Sequence, residues 1–457
     1  MANNNGNREG FASQLGFLLV SAGCAVGIGN VWKFPYMVGQ NGGALFVILY
    51  IIFLVLMGIP VLSMELAIGR AGKSSGINAL KAIEKKGSKW HLFGWVCLVD
   101  CYILMFYYTT VSGWMVEYFY KFVSGTFENV DSSGVSNVFS DMMASPVSMI
   151  FFTVLVAVTG FLVLCFGVQK GLERVSKFMM IGLLLLIIAL AVNSIMLKGS
   201  SEGLKFYLLP DLDSVTAGNI GKTVTSAMSQ AFFTLSIGMG VMLTLGSYMP
   251  KERSITGEAV RIAFLDTFVA LIAGIIIFPA CFSYNVAPDS GPSLIFVTLP
   301  QIFINMPGGR IWGALFFVFM IFASFSTVTA VFENIVAYFI DTIGWSRKKA
   351  IFVNIPVVII GSLPCVLGFN ILKDVHIFGD WDILTVEDFI LSKILLPLGC
   401  IVIILFCALD KGWGFKNFLY ESNTGDGMRF PSKIRAYITF VLPLMILLIL
   451  VNEIFFA

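Results

Sequence analysis

The chain has 457 residues, of which 58% are hydrophobic and 12% charged, with a mean hydropathy of +0.89. So little charge excludes a water-soluble globular domain and leaves an integral membrane protein. A formal net charge of +2 gives no basic surface for nucleic acid, and the absence of a phosphate loop, nucleophile elbow or metalloprotease motif argues against an enzyme.

Taken in order, the apolar runs predict an all-α chain that crosses the bilayer eleven times, at 13–37, 42–69, 90–124, 147–166, 175–197, 222–249, 255–284, 310–343, 349–370, 384–409 and 433–455. The polar start lacks the basic region of a cleaved leader, so the first span is expected to be retained. That span carries Gly23, Gly27 and Gly29 in its middle, followed by Asn30 and Lys33. An interior glycine costs a helix about 1 kcal/mol relative to alanine, so three in seven residues predict an unwound segment. Unwound backbone at membrane depth is tolerated where it is buried in protein or lines a cavity. Its carbonyls suit a cation, and the N–H groups opening a half-helix suit an anion. Close glycine-mediated helix packing is the competing reading. The eight cysteines sit almost entirely in apolar runs without metal or disulfide spacing and read as core residues. His91 and His376 have no evident metal-binding partners.

The sixth span repeats the pattern, with Phe233, Thr234, Ser236, Gly238 and Gly240 interrupting it. Interrupted spans one and six are corresponding members of two five-helix halves. Five is odd, so the second half enters from the opposite side and the repeat is inverted, with a site at the midplane. The expected organisation is a tail at 1–12, a first repeat at 13–197, an external loop at 198–221, a second repeat at 222–410, and a loop with the eleventh helix at 411–457. Arg70, Lys73, Lys81, Lys85, Lys86 and Lys89 crowd the loop after span two, whereas opposite-side loops carry few cations, such as Lys198 and Lys205. This asymmetry predicts a cytoplasmic N-terminus and, after eleven crossings, an external C-terminus.

The run Ala22 to Pro35, then Gln40 to Gly43, Pro60 through Glu65 to Arg70, Phe232 to Ser236 and Ser346 to Ala350, resembles the neurotransmitter:sodium symporter family. The resemblance spans essentially the whole chain and is nearest to the bacterial leucine-transporter branch. It implies a sodium-coupled importer of an α-amino acid, working by alternating access in a bacterial inner membrane. Its partners would be the amino acid, two sodium ions and the lipid bilayer, with no nucleic acid.

The resemblance also implies a ligand set. One sodium would take the carbonyl of Ala25, the side chains of Asn30 and Asp266, both oxygens of Thr234 and the substrate carboxylate. The other would take the carbonyls of Gly23, Val26 and Ala323 and the hydroxyls of Ser326 and Thr327. All are hard oxygen ligands. The N–H groups of Ile28 and Gly29, with the Tyr108 hydroxyl, would hold the substrate carboxylate. The carbonyls of Ala25, Phe233 and Thr234 and the Ser236 hydroxyl would meet the amine, with Cys24 alongside. Leu104, Tyr108, Met239, Thr327 and Val331 would face the side chain, under a lid formed by Phe233. Each residue has a plainer role open to it: Asn30 as a half-helix cap, Ser326 and Thr327 bonding their own helix carbonyls, and Leu104 with Tyr108 as an ordinary core face.

Several positions depart from the family's pattern or refine it. Lys33 stands where the family pairs an arginine with the aspartate at Asp388 across an outer vestibule, and lysine cannot make the bidentate fork. Arg8 and Asp341, with Tyr248 nearby, match an inner gate, and Phe11 replaces a tryptophan there. Gly27 stands where carriers of amines lacking a carboxylate have an aspartate, so the substrate is expected to bring its own. Met239 replaces a phenylalanine of the leucine-type pocket, and its adaptable thioether points to hydrophobic substrates, aliphatic or aromatic. Asp266 stands where chloride-requiring members have an asparagine, so transport is expected to be chloride-independent. Tyr50 and Gln230 match other residues around that chloride position, and a pairing of Asp266 with Arg261 is the alternative. Glu65 is expected to support the first break. Asp100 and Lys393 are charges within spans with no assigned role, and satisfaction by one another or by water is expected for them. From another class, a sensor or a channel on the same fold remains open. A channel would need a ring of polar residues and a sensor an appended soluble domain, and neither is found.

Overall fold

The computed structural model describes residues 10–128, 130–210, 217–284, 286 and 293–455. Every regular element among the described residues is a helix, and their one β pairing is an isolated bridge between Arg253 and Asp426. The first span is a bent pair, α1 (Gln14–Ala25) and α2 (Ile28–Gln40), meeting at 61°. There follow α3 (Ala44–Gly72), α4 (Trp90–Val123), α5 (Pro146–Leu164) and α6 (Val168–Ile195). The stretch expected as span six is two shorter helices, α7 (Ala217–Phe233) and α8 (Val241–Gly246). The chain continues with α9 (Ile255–Ser283), α10 (Gly309–Ile343), α11 (Arg347–Leu367), α12 (Ile383–Ala408) and α13 (Ser432–Phe455). Among the described residues nine of these helices are long and apolar enough to cross a membrane, or ten with the α1/α2 pair counted as one span. The α7/α8 pair is not among them.

Helix starts follow the capping chemistry of the sequence. The side chains of Ser13, Ser254 and Asp382 accept hydrogen bonds from the N–H groups of Gly16, Gly257 and Thr385, satisfying donors that a helix start leaves orphaned. Phe178, Phe264 and Ile360 stand exposed on α6, α9 and α11, the apolar outward face that a bilayer demands. The interior gathers around α10, which packs on α1, α4 and α6. Of its most apolar stretch 72% is buried, against 28% for α13, which lies at the periphery.

Both expected breaks are present. Helix α1 ends at Val26, whose ψ of 99° leaves the helical region, and Gly27 is extended before α2 begins. Between α7 and α8 the backbone turns left-handed at Ser236 (φ 52°), Gly238 (φ 99°) and Gly240 (φ 76°). Gly238 also lies against the backbone of α12: a Cβ there would sit 2.4 Å from the Leu396 carbonyl oxygen. Its N–H donates to Glu65 Oε1 at 2.6 Å. Glu65 of α3 therefore caps the second break, whereas its sequence position pointed to the first.

Five π-helical stretches interrupt the long helices, including Val168–Glu173 opening α6 and Phe389–Leu395 in α12. Hydropathy does not reveal them, because a π turn changes hydrogen-bond spacing without changing composition.

Candidate functional site: two breaks around one cavity

The side chains expected at the first sodium come together. Asn30 Nδ2 donates to Asp266 Oδ1 at 2.7 Å and to the Asp266 carbonyl at 3.2 Å. Thr234 Oγ1 donates to Asp266 Oδ2 at 2.7 Å. Asn30 Oδ1 in turn accepts the Gly27 N–H at 3.1 Å. One buried carboxylate on α9 thus receives a donor from each break. Arg261 does not reach it and pairs instead with Glu258 at 2.7 Å. Asp266 is held by neutral groups alone, and a buried carboxylate so placed attracts a cation.

The residues expected at the second sodium also converge. Ser326 Oγ donates to the carbonyls of Gly23 at 2.8 Å and Ala323 at 2.9 Å. Thr327 Oγ1 lies 3.4 Å from the Gly23 and Val26 carbonyls, 3.3 Å from that of Cys24 and 3.4 Å from that of Ala323. The two hydroxyls therefore bond their own helix and reach the unwound end of α1 as well. This set is neutral and joins α10 to α1.

Between these clusters lies a cavity with about 40 Å³ of free volume. Ten residues expected at the substrate line it: Cys24, Ala25, Gly29, Leu104, Tyr108, Phe233, Thr234, Ser236, Met239 and Thr327. Ile28 lines the wider space above, and Val331 is buried on α10 without lining either cavity. The Ile28 N–H donates to the Tyr108 hydroxyl at 3.1 Å, and Ser236 Oγ donates to the Cys24 carbonyl at 3.3 Å. Gly27 and Gly29 are closely approached by their neighbours. A Cβ on Gly27 would meet the Tyr108 hydroxyl at 2.6 Å, and one on Gly29 would meet the Phe233 ring at the same distance.

Phe233 divides this cavity from a vestibule of about 250 Å³, lined among others by Lys33, Tyr107 and Asp388. Lys33 and Asp388 share that wall but form no ion pair. The Lys33 ammonium lies 3.7 Å above the centre of the Phe233 ring, a cation–π placement. Asp388 Oδ1 accepts hydrogen bonds from Tyr107 at 3.1 Å and Ser392 at 2.7 Å. Of the other gate residues, Arg8 lies outside the described residues. Asp341 accepts from the Ser74 hydroxyl at 3.1 Å and from the N–H and hydroxyl of Ser75, both at 2.8 Å. Tyr248 donates to Glu333 at 2.8 Å and meets Phe11 edge-on at 5.8 Å.

Sequence reasoning missed several participants. Leu391 and Leu396 of α12 complete the cavity wall; the signal was Asp388, on the same helix and expected at the vestibule. Arg347, read only as part of a motif, grips Glu333 through two nitrogens at 2.6 and 3.0 Å. Lys393 pairs not with Asp100 but with Glu453 of α13, as an ion pair. Neither carboxyl oxygen of Asp100 has a hydrogen-bond partner among the described residues.

A helical fold with two broken segments enclosing a buried carboxylate and a small cavity is that of a multi-pass membrane transporter. The model of the sodium:neurotransmitter symporter family matches residues 8–145 and 135–456, and the chain belongs to this family of sodium-dependent transporters. It is 34% identical over 448 residues to an uncharacterised sodium-dependent transporter of Bacillus subtilis, YhdH, covering 97% of each chain. It is 32% identical over 468 residues to an uncharacterised sodium-dependent transporter of Haemophilus influenzae, covering both chains fully. Among solved structures it is similar to MhsT in complex with L-phenylalanine, with 36% identity and a TM-score of 0.87 over 98% of this chain and 100% of that one.

Proposed function

We propose that this symporter imports a hydrophobic α-amino acid, aliphatic or aromatic, together with sodium at two sites. The observation that carries the reading is the Asp266 carboxylate, held by Asn30 and Thr234 from the two breaks beside a cavity walled by Leu104, Met239, Leu391 and Leu396. A sodium at Asp266 would share its shell with the substrate carboxylate, so each would raise the affinity for the other. The solved relative that holds L-phenylalanine supports a large apolar side chain. The free volume of the cavity requires Met239 to yield for such a side chain, which an unbranched thioether does readily.

In the same reading Ala217–Phe233 and Val241–Gly246 form the sixth of eleven spans, the N-terminus is cytoplasmic and the C-terminus external. The neutral second site, tying α10 to α1, would release its ion most easily. Sodium there would favour the vestibule-open state and its loss the opposite one, because a ligand shifts a conformational equilibrium only by its difference in affinity between states.

Uptake of a panel of labelled amino acids into proteoliposomes, with and without a sodium gradient, tests this. Sodium-driven accumulation of leucine, methionine, tyrosine, phenylalanine or tryptophan is expected. Preferential uptake of glycine, proline or a charged amino acid would overturn it.

A further inference from the structure

Four charges gather around the vestibule. Lys33 lies within electrostatic reach of Asp388, Lys393 and Glu453. Two are lysines and two are carboxylates, yet only one ion pair forms among them, between Lys393 of α12 and Glu453 of α13. The side chain of Glu453 is 9% exposed and that of Lys393 25%. Helix α13 lies outside both five-helix repeats, and it packs on α12 and on the π-helical stretch Phe389–Leu395.

Asp388 directly precedes that π stretch and Lys393 lies within it, five residues on. A π-helix bonds residue i to i+5 and brings such residues onto neighbouring turns. Lys393 is thus the nearest cation to Asp388 along its own helix. It nevertheless points to α13, and Asp388 is left with the neutral hydroxyls of Tyr107 and Ser392, both on Oδ1. Oδ2 stays available to a charged partner. An unpaired lysine in hydrocarbon is costly. Without Glu453, Lys393 would be left to turn to Asp388, the carboxylate five residues before it on its own helix.

We propose that Glu453 is a positioning residue for the vestibule gate: by holding Lys393 it keeps Asp388 free for Lys33. The ammonium of Lys33 stands on the lid, 3.7 Å above the Phe233 ring. A move from there to Asp388 closes the vestibule over an occupied cavity. A helix outside the transport repeats thereby decides which lysine the gate carboxylate takes. The proposal rests on the transport reading above, and it extends that reading from the cavity to α13.

The test places one reporter cysteine in the vestibule, Leu384→Cys, in the full-length protein. The eight native cysteines are buried except for half-buried Cys165. The rate of labelling by a membrane-impermeant thiol reagent is measured in sodium, with and without saturating leucine or phenylalanine. Substrate should slow labelling of the parent. Glu453→Gln should label several-fold faster than the parent in substrate, because Lys393 now occupies Asp388. Lys393→Met alone, and Lys393→Met with Glu453→Gln, should label at the parent rate. In an Asp388→Asn background, Glu453→Gln should change nothing further.

An unchanged rate in Glu453→Gln overturns the proposal. So does a Lys393→Met variant as defective as Glu453→Gln, the result a merely structural tie between α12 and α13 would give. If Glu453→Gln does not fold, the Lys393→Met rate decides. A parent that responds to no amino acid sinks the substrate reading instead. The pairing is then decided in sodium alone, where Glu453→Gln must shift the rate and Lys393→Met must not.

Discussion

Asn30 on α2 and Asp266 on α9 meet at 2.7 Å, and this contact ties the first break to a helix that is itself unbroken. Thr234 brings the second break to the other oxygen of the same carboxylate, also at 2.7 Å. Two segments that cannot close their own helical hydrogen bonds are held by a residue with no such deficit. The carboxylate therefore acts first as a fastener, and a cation arriving there would replace donors already in place.

Asn30→Ala removes the amide from this arrangement and a proposed sodium ligand with it. Sodium half-saturation of amino-acid binding is expected to rise about tenfold or more, equivalent to roughly 1.4 kcal/mol per tenfold change. Because Thr234 still donates to Asp266, the variant should remain folded, as a thermal melt would show. An unchanged sodium dependence in a folded variant would remove Asn30 from the ion site and leave it as the cap of a half-helix.

The breaks were legible because glycine and hydroxyl residues inside an apolar run have few other uses. The ten cavity-lining residues among the expected set followed from family motifs fixed to those breaks. What lay on α12 was not legible, for a physical reason. In a membrane the lipid-facing and the cavity-facing side chains have the same chemistry. Leu396 lines the cavity and is 5% exposed, while Leu398, two residues on, is 42% exposed, and nothing in their identity separates them. The Lys393–Glu453 pair was hidden differently, since its members lie 60 residues apart and no local pattern joins them. Val331 shows the converse: its helix and burial agreed with a pocket role, yet its side chain does not line the cavity.

Gly27→Asp is expected to abolish amino-acid binding. The new carboxylate would occupy the position where the substrate's own carboxylate completes the first ion shell, and two like charges there repel. Sterics act in the same direction, since a Cβ at this residue meets the Tyr108 hydroxyl at 2.6 Å and Thr327 Oγ1 at 3.1 Å. Gly27→Ala separates the two effects. It should weaken binding in part, because the displaced atom is the end of a side chain. Scintillation-proximity binding of a labelled amino acid reads both variants, and unchanged affinity in Gly27→Asp would refute the carboxylate assignment.

Met239→Phe should narrow the substrate range. Met239 is 2% exposed and lines the cavity together with Leu104. A rigid ring there cannot vacate space as a thioether does. Tryptophan and tyrosine should compete about tenfold less well than in the parent, while leucine should be little affected. This lies within the ~1–3 kcal/mol by which hydrophobic pockets distinguish side-chain size. Equal losses for leucine and tryptophan would indicate general damage rather than selection by size.

Asp266 is also expected to decide whether an external anion is required. The Tyr50 hydroxyl and both amide atoms of Gln230 are buried without hydrogen-bond partners among the described residues, and the hydroxyl and the amide nitrogen are donors suited to an anion. Such groups ordinarily find partners, because leaving them unmet costs about 1–3 kcal/mol each. The family resemblance implies an asparagine at the position of Asp266 in members that require chloride. Here a fixed carboxylate already stands within 2.7 Å of Asn30 and Thr234, and Arg261 does not neutralise it. A sodium bound there is balanced without a mobile anion, so wild-type uptake should be equal in chloride and gluconate. Asp266→Asn removes the built-in charge and keeps the shape and one donor. It should be inactive in gluconate and either recover part of its uptake in chloride or stay silent. The decisive measurement is sodium-driven uptake by both proteins in the two salts. A wild type that loses most of its uptake in gluconate would show that Asp266 does not serve as the anion and that a mobile one is needed.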